Sequence, residues 1–341
     1  MAMEIERKIF KNSSPDAIVE RLLKAGKKVT APVRSGKTVD FREIKNPSEI
    51  EYNSLTTIQS AKKVAFPKVD KVVEFEVLKS SVNTLEIDFE AYPEQILFGA
   101  RPCDAAGFIP LHSIFNWDYA DQFFLRRYEK TTIISIACPT ADEYCFCTSV
   151  GGNPGNTEGS DIQITRTGNN QLLVEILTQK GKAVSALFED LLAAETEKIE
   201  KEKFLADVPK VFDFDKVYNK LSSIFENPVW EEQASRCLGC GACAFVCPAC
   251  ACFDFQDEKS LKKGARLKLW DSCGFSGFTI HTSGHNPRET QGDRWRQRVM
   301  HKFSYMPHRL QVRGCTGCGR CSRVCPVDMN IKEHISQIES L

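Results

Sequence analysis

Two cysteine-rich runs near the C-terminus constrain the fold of this chain more than any other feature. In each run three cysteines are separated by two residues, and a fourth cysteine follows after three more residues and precedes a proline. The runs are Cys237-x2-Cys240-x2-Cys243-x3-Cys247-Pro248 and Cys315-x2-Cys318-x2-Cys321-x3-Cys325-Pro326. In proteins with this spacing, the fourth cysteine of each run ligates the cluster of the other run. The spacing therefore predicts one [4Fe–4S] cluster on Cys237, Cys240, Cys243 and Cys325, and a second on Cys315, Cys318, Cys321 and Cys247.

The residues inside the runs fit this chemistry. Iron in a sulfide-bridged cluster is held by soft, anionic thiolates. Glycines between the ligands allow left-handed turns and bring amide hydrogens close to the cluster sulfurs; they are Gly239, Gly241, Gly317 and Gly319. Structural zinc would show two separate CxxC pairs, and disulfides are rare in chains without a secretory signal. We therefore expect clusters rather than zinc or a disulfide framework.

Composition limits the partners and the cellular location that we expect for a protein with these clusters. The chain has 341 residues, 15 cysteines and equal numbers, 45 each, of basic and acidic residues. The balanced charge gives no reason to expect nucleic acid or a membrane surface as a partner. The N-terminal stretch MAMEIERKIFKNSS lacks the apolar region of a signal peptide, and no segment has the roughly 18 apolar residues of a membrane span. We expect a cytoplasmic protein with metal thiolates and no membrane span.

Hydrophobic patterning predicts an α+β protein of two domains. Residues 1–226 are expected to form a mixed α/β domain, which begins with a short strand and a helix over residues 16–26. Short apolar runs at 95–100 and 131–137 predict buried strands, residues 71–78 alternate like a strand, and 161–166 with 172–177 predict a hairpin. Amphipathic patterns predict a long helix over 184–204 and another over 213–225. Residues 227–341 are expected to form a mainly helical, ferredoxin-like dicluster domain with a long insertion between the cysteine runs.

Four further cysteines lie in the first domain: Cys103, Cys138, Cys145 and Cys147. Two of them directly follow the predicted buried strands, and the ends of neighbouring parallel strands converge on the usual ligand site of an α/β sheet. In extended backbone, residues two apart face the same way, so Cys145 and Cys147 can address one metal. We expect a third iron–sulfur cluster here. Zinc, or free cysteines that pack as small hydrophobes, are the alternatives.

The cysteines Cys250, Cys252 and Cys273 are one ligand short of a cluster, and we expect them to pack near the clusters or to donate S–H groups to cluster sulfurs. The insertion between the runs also carries several histidines and many basic residues, among them Arg298 and Lys302. These residues would form a docking face for an acidic partner, a charge collar that raises cluster potential, or simply a solvated helix face with salt bridges. We assign none of the histidines as metal ligands.

No dinucleotide fingerprint or phosphate-binding loop is present, so we predict no catalytic or nucleotide-binding residues. Electrons must then come from another protein, and an electron-transfer subunit is the simplest function. One alternative is a redox enzyme in which the first domain binds a flavin or a substrate. The other is a zinc-stapled binding module.

Several motifs extend this interpretation. Arg101-Pro-Cys-Asp104, Cys145-Phe-Cys-Thr-Ser149, Cys247-Pro-Ala-Cys-Ala-Cys-Phe-Asp254, Trp270-Asp-Ser-Cys273 and residues 298–305 resemble those of 4Fe–4S dicluster electron-transfer subunits. This family is typified by the iron–sulfur subunit of anaerobic sulfite reductase and by the sulfhydrogenase beta subunit, and similar subunits occur in flavin oxidoreductase complexes that feed heterodisulfide reductase. The resemblance covers residues from about 70 to the C-terminus. It implies an oxygen-sensitive complex subunit rather than a stand-alone catalyst, which passes electrons between a flavin subunit that handles NAD(P)H and a separate catalytic subunit. It also favours a cluster on the first-domain cysteines.

Overall fold

The structure is a computed structural model that describes residues 5–341. Residues 1–4, where the predicted first strand was expected to begin, lie outside the described part. The strands are β1 Glu6–Phe10, β2 Lys28–Ser35, β3 Thr38–Ile44, β4 Val69–Val77, β5 Val82–Leu85, β6 Gln95–Ala100, β7 Thr131–Ile136, β8 Ile162–Thr167, β9 Gln171–Ile176, β10 Leu192–Ala194, β11 Phe253–Lys259 and β12 Lys263–Trp270. The α-helices are α1 Asp16–Lys24, α2 Pro102–Ala106, α3 Phe108–Phe115, α4 Gln122–Glu129, α5 Gln179–Ser185, α6 Phe214–Leu221, α7 Val229–Ala234, α8 Ala242–Phe245, α9 Gln291–Met300, α10 Met306–Leu310, α11 Arg320–Arg323 and α12 Ile331–Ser340.

The larger sheet has the strand order β10-β1-β9-β8-β7-β6-β2-β3. The neighbouring pairs among its central strands β2, β6, β7 and β8 are parallel, whereas the remaining pairs are antiparallel. Alternate residues of β6 enter different cores: Ile96 and Phe98 pack on one face, and Leu97 and Ala100 on the other. Both faces of β6 and β7 are buried, which confirms the two predicted buried strands, and β7 also buries the hydroxyl side chains of Thr131, Thr132 and Ser135. The predicted hairpin is likewise present as β8 and β9.

The smaller sheet has the order β11-β12-β4-β5 and joins strands from distant parts of the chain. The hairpin β11–β12 belongs to the insertion between the cysteine runs and was not predicted, whereas β4 and β5 come from the first half of the chain. The predicted domain boundary near residue 227 thus separates strands that share a sheet. The division into two domains remains a prediction, while the α+β class is confirmed.

The predicted long helix over residues 184–204 is wrong. Helix α5 ends at Ser185, a 3₁₀ segment covers Ala186–Leu191, and strand β10 follows. In β10, Leu192 pairs with Phe10 of β1, and just beyond it Glu195 forms a bidentate ion pair with Arg7 at 2.8 Å. Residues of high helix propensity are therefore recruited to the sheet edge by tertiary contacts, which override a weak local preference.

A third core lies beneath the cysteine runs and is built from helices. It contains the apolar faces of α6, α7, α9 and α12, with Trp230, Phe303 and Ile335 fully buried. Helix α9 continues into a π-helical turn at His301–Tyr305 before α10 begins, so residues 291–310 form one irregular helical rod. This rod lines the inner side of the cysteine runs. No helix in the described residues is long and apolar enough to cross a membrane.

Candidate metal centres

The first cysteine run folds into a loop around a small cavity. Gly239 and Gly241 adopt left-handed φ angles of 64° and 73°, and α8 begins directly after Gly241. The cavity has a volume of about 40 Å³, and its thiol lining consists of Cys237, Cys240, Cys243, Cys321 and Cys325. All four predicted ligands of the first cluster therefore meet there, including Cys325 from the second run.

Hydrogen-bond donors reach two of these sulfurs. The Gln291 side-chain amide donates to Cys237 Sγ at 3.2 Å, and the Met329 backbone N–H donates to Cys325 Sγ at 3.2 Å. Such bonds are stronger to a thiolate than to a neutral thiol, and they tune the potential of iron–sulfur centres. Because Cys240 is exposed, one side of this cavity reaches the protein surface.

The second run repeats this loop geometry in different surroundings. Gly317 and Gly319 have φ angles of 64° and 70°, and α11 follows Gly319 as α8 follows Gly241. The predicted ligands of the second cluster are distributed over several places: Cys321 lines the first cavity, Cys318 lines the first-domain cavity described below, and Cys315 lines a larger open cavity. The fourth predicted ligand, Cys247, is linked to this run through Lys302, whose Nζ donates to Cys247 Sγ at 3.2 Å and to the Gly314 carbonyl at 2.7 Å.

The four first-domain cysteines also meet around one cavity. Cys103 lies in the first turn of α2, directly after β6, and Cys138 follows the parallel neighbour β7. Cys145 and Cys147 approach through a turn and a short 3₁₀ segment rather than through the extended backbone that we predicted. All four line a cavity of about 40 Å³. The expected convergence at the ends of parallel strands thus brings the group together.

Cys318 lines this first-domain cavity as a fifth thiol, which the sequence did not predict. The two loops are packed backbone to backbone, because the Phe146 N–H donates to the Gly317 carbonyl at 3.0 Å. A Cβ atom at Gly317 would lie only 2.5 Å from the Cys147 Cα. No sequence signal identified this contact, since the spacing of the second run had already accounted for Cys318.

Burial controls the ionisation of these thiols. It raises the pKa of Cys147, Cys243 and Cys315 to about 12 and that of Cys138 to about 11. A buried thiol is therefore held neutral unless a cation offsets the charge of its thiolate. Iron supplies that charge, so these residues suit a bound cluster whose assembly releases protons.

Two ion pairs fasten α11 to the first domain. Arg320 and Asp104 are almost fully buried and lie 2.8 Å apart, and the Arg320 Nε also donates to the Thr57 carbonyl at 3.0 Å. Arg323 forms a partly exposed, two-pronged pair with Asp142, and its Nη2 lies 3.4 Å from Cys145 Sγ. Both arginines that approach the first-domain thiols from this helix are therefore matched by carboxylates.

The remaining three cysteines lie close to the predicted ligands. The thiol of Cys250 is hydrogen-bonded to that of Cys247, and the thiol of Cys252 to that of Cys273. Hydrogen bonding from Cys252 lowers the pKa of Cys273 to about 7. Among residues 5–341, no three His, Cys, Asp or Glu side chains are placed to share a single metal ion.

Comparison with known proteins agrees with the cysteine pattern. Residues 236–329 match the family model described as a 4Fe–4S dicluster domain. The chain is 29% identical to sulfhydrogenase 2 subunit beta of Pyrococcus furiosus over 339 residues, which covers 94% of each protein. No solved structure matches the chain. These similarities confirm the resemblance to 4Fe–4S dicluster electron-transfer subunits that the motifs predicted, and they support a role as an iron–sulfur electron-transfer subunit.

Proposed function

We propose that the chain relays single electrons within a cytoplasmic, oxygen-sensitive oxidoreductase complex. One partner is a flavin subunit that uses NAD(P)H, and the other is a terminal catalytic subunit of reductase or hydrogenase type. The similarity to a named hydrogenase subunit supports a role inside a complex. The lack of a nucleotide fingerprint in the sequence favours a partner as the protein that carries out hydride chemistry.

We further propose three cluster sites. Two are the predicted sets on the C-terminal runs, and the third is Cys103, Cys138, Cys145 and Cys147. The third assignment rests on the similarity between the first-domain cavity and the cavity of the first cysteine run. In both places the four predicted cysteines come from more than one segment and line a cavity of about 40 Å³, together with a fifth thiol.

A [4Fe–4S] cluster in such a site supplies reversible one-electron exchange. The residues of this chain hold it and control its surroundings. The left-handed glycines shape each loop, the Gln291 amide and the Met329 N–H donate to ligand sulfurs, and the apolar core beneath the runs excludes water from their inner side. The exposed Cys240 makes the first site the one that a partner protein can approach most closely.

The number of iron atoms per chain tests this proposal. Anaerobically purified protein should contain about twelve iron and twelve sulfide per chain, corresponding to three [4Fe–4S] clusters. The double variant Cys103→Ser/Cys138→Ser should lower both values to about eight, with loss of one paramagnetic signal after dithionite reduction. The matched control Cys273→Ser should retain all of the iron. About eight iron atoms per chain in the unmodified protein would refute the third site. Unmodified protein that contains no iron would refute the relay.

A second function is favoured by one further cavity. It is open, has a volume of about 400 Å³ and is lined by Cys103, Cys147 and Cys315 together with the polar side chains of Asn153 and Glu158. This volume falls within the range of roughly 300–1,000 Å³ of small-molecule sites. The alternative is therefore that the first domain binds a flavin or a substrate beside the clusters. Flavin released when the purified chain is denatured would support this alternative.

A further inference from the structure

Three buried cations surround Cys247 and its neighbour Cys250. They are Lys62, Arg298 and Lys302, and each of these residues is at most 4% exposed. Lys302 Nζ donates to Cys247 Sγ at 3.2 Å, and Arg298 Nη1 lies 3.5 Å from Cys250 Sγ. Lys62, which is more than 180 residues away in sequence, donates to the Cys250 carbonyl at 2.9 Å.

None of these cations has a carboxylate partner within residues 5–341. Their acceptors are backbone carbonyls and sulfur atoms, and Lys62 Nζ also lies 4.1 Å from the centre of the Trp270 ring. The Nε of Arg298 is buried and has no hydrogen-bond partner among the described residues. Burying a charge without an opposite charge is costly. The fold therefore requires negative charge near Cys247 and Cys250, beyond what the protein's carboxylates provide.

The other two sites hold less buried, unpaired positive charge. At the first-domain site, Arg320 is paired with Asp104 at 2.8 Å and Arg323 with Asp142 at 2.8 Å. Arg101 also lines that cavity, but it is only partly buried and donates to the Leu55 and Ser54 carbonyls. At the first-run cavity, the donors to ligand sulfurs are the neutral Gln291 amide and a backbone N–H, and one ligand is exposed to water. Arg298 also lines this cavity and donates to the Cys243 carbonyl at 3.0 Å, so its charge is shared between the two sites. The two buried lysines, Lys62 and Lys302, thus distinguish the surroundings of Cys247 from those of the other two sites.

We propose that Lys62, Arg298 and Lys302 raise the reduction potential of the cluster bound through Cys247, so that it is the first of the three centres to be reduced. This inference rests on the proposed function, because it requires a cluster on Cys247. Reduction adds one negative charge, which nearby unpaired cations stabilise in a medium of low dielectric constant. At the first-domain site, Arg320 and Arg323 are paired with carboxylates and Arg101 is partly exposed to water, so the stabilisation is smaller there.

The variant Lys302→Met tests the proposal in anaerobically purified protein. Iron content and a potentiometric titration followed by electron paramagnetic resonance should be measured together. We expect unchanged iron and a lower midpoint potential for one centre only, with at least a tenfold smaller ratio of reduced to oxidised cluster at fixed potential, which corresponds to about 59 mV for one electron. Lys302→Arg keeps the positive charge, so its midpoint potential should stay close to that of the unmodified protein.

Variants at Lys62 and Lys63 form a matched pair that distinguishes an effect of charge from a general disturbance of the structure. Lys62 and Lys63 are neighbours in the 3₁₀ segment Ala61–Val64, but Lys63 makes no contact with the thiols. Lys62→Met should lower the potential of the same centre, whereas Lys63→Met should leave all three potentials unchanged. If Lys302→Met loses its cluster, the Lys62→Met result decides the question, because Lys62 contacts no ligand sulfur.

Intact iron with unshifted potentials in Lys62→Met and Lys302→Met would overturn the inference. Equal shifts of all centres would overturn it as well, because the effect would not be local to Cys247. Unmodified protein without iron would instead refute the proposed function itself. The two failures are therefore distinguishable in one set of preparations.

Discussion

The buried pair of Arg320 and Asp104 connects the second cysteine run to the first domain, and breaking it should be costly. In the variant Asp104→Asn the carboxylate charge is lost while the shape is kept. Arg320 then remains buried without its counter-charge, since its Nη1 already has no hydrogen-bond partner in the described part of the chain and the other acceptors are the carbonyl and hydroxyl of Thr57. Removing one member of a buried ion pair typically costs about 3–5 kcal/mol. We expect the free energy of unfolding to fall by that amount.

The measurement is urea unfolding of the iron-loaded protein under anaerobic conditions, followed by circular dichroism and by cluster absorbance. Asp142→Asn is the matched control, because the Arg323–Asp142 pair has side chains that are 20% and 27% exposed and are screened by water. Fully exposed pairs contribute about 0–1 kcal/mol, and this partly exposed pair should contribute less than a fully buried one, so the control should lose clearly less stability than Asp104→Asn. Cluster absorbance should disappear at a lower urea concentration in Asp104→Asn, because Cys103 precedes Asp104 in α2.

The double variant Asp104→Asn/Arg320→Met completes the argument. If the loss arises from an uncompensated buried cation, removing that cation should recover part of the lost stability, and the two changes should be far from additive. Equal losses in Asp104→Asn and Asp142→Asn would refute this reasoning. So would strictly additive effects in the double variant.

The loop contacts and one partly buried histidine give two more testable predictions. Gly317→Ala should lower stability and iron content, because its Cβ would lie 2.5 Å from the Cys147 backbone at a left-handed φ of 64°. The control is Gly284→Ala, where φ is 84° and the surrounding space is open. This variant should lose only the roughly 1–2 kcal/mol that the left-handed backbone conformation costs. Equal iron loss in both variants would contradict the contact. Burial lowers the pKa of His334 from 6.5 to about 4, so the unfolded chain binds its proton more readily and stability should fall as the pH drops from about 6.5 towards 4. His334→Gln should flatten that part of the stability curve, as measured by urea unfolding at several pH values, and an unchanged slope would contradict the assignment.

Features with a strong local cause were predictable from the sequence. The strands β6 and β7 have apolar residues on both faces because both faces are buried, and the turn at Thr167–Asn170 closes a hairpin in which Asn169 and Asn170 adopt left-handed φ angles of 61° and 57°. The ligand spacing in each run likewise results from the local geometry of a tight loop. These features depend on residues that are close together in the chain.

Features that depend on distant segments were not predictable. The segment after Ser185 looks helical, but it forms a sheet edge because β1 offers it hydrogen bonds and Arg7 offers Glu195 an ion pair. The hairpin β11–β12 is stabilised by pairing with β4, nearly 200 residues away. The contact of Lys62 with the Cys250 carbonyl also joins distant segments, and the local sequence around either residue does not predict it.

The two cysteine runs illustrate why spacing alone does not determine the role of a site. They have the same ligand spacing and matching left-handed glycines, and each begins a short helix at the same position. Their surroundings nevertheless differ, since Cys240 of the first run is exposed while Gly317 of the second run is packed against the Cys147 backbone. The second run also shares Cys318 with the thiol-lined cavity of the first domain, whereas no cysteine of the first run lines that cavity. Because the first-domain thiols meet only the second run there, we expect them to exchange electrons through that run, which leaves the exposed loop of the first run for contact with other proteins.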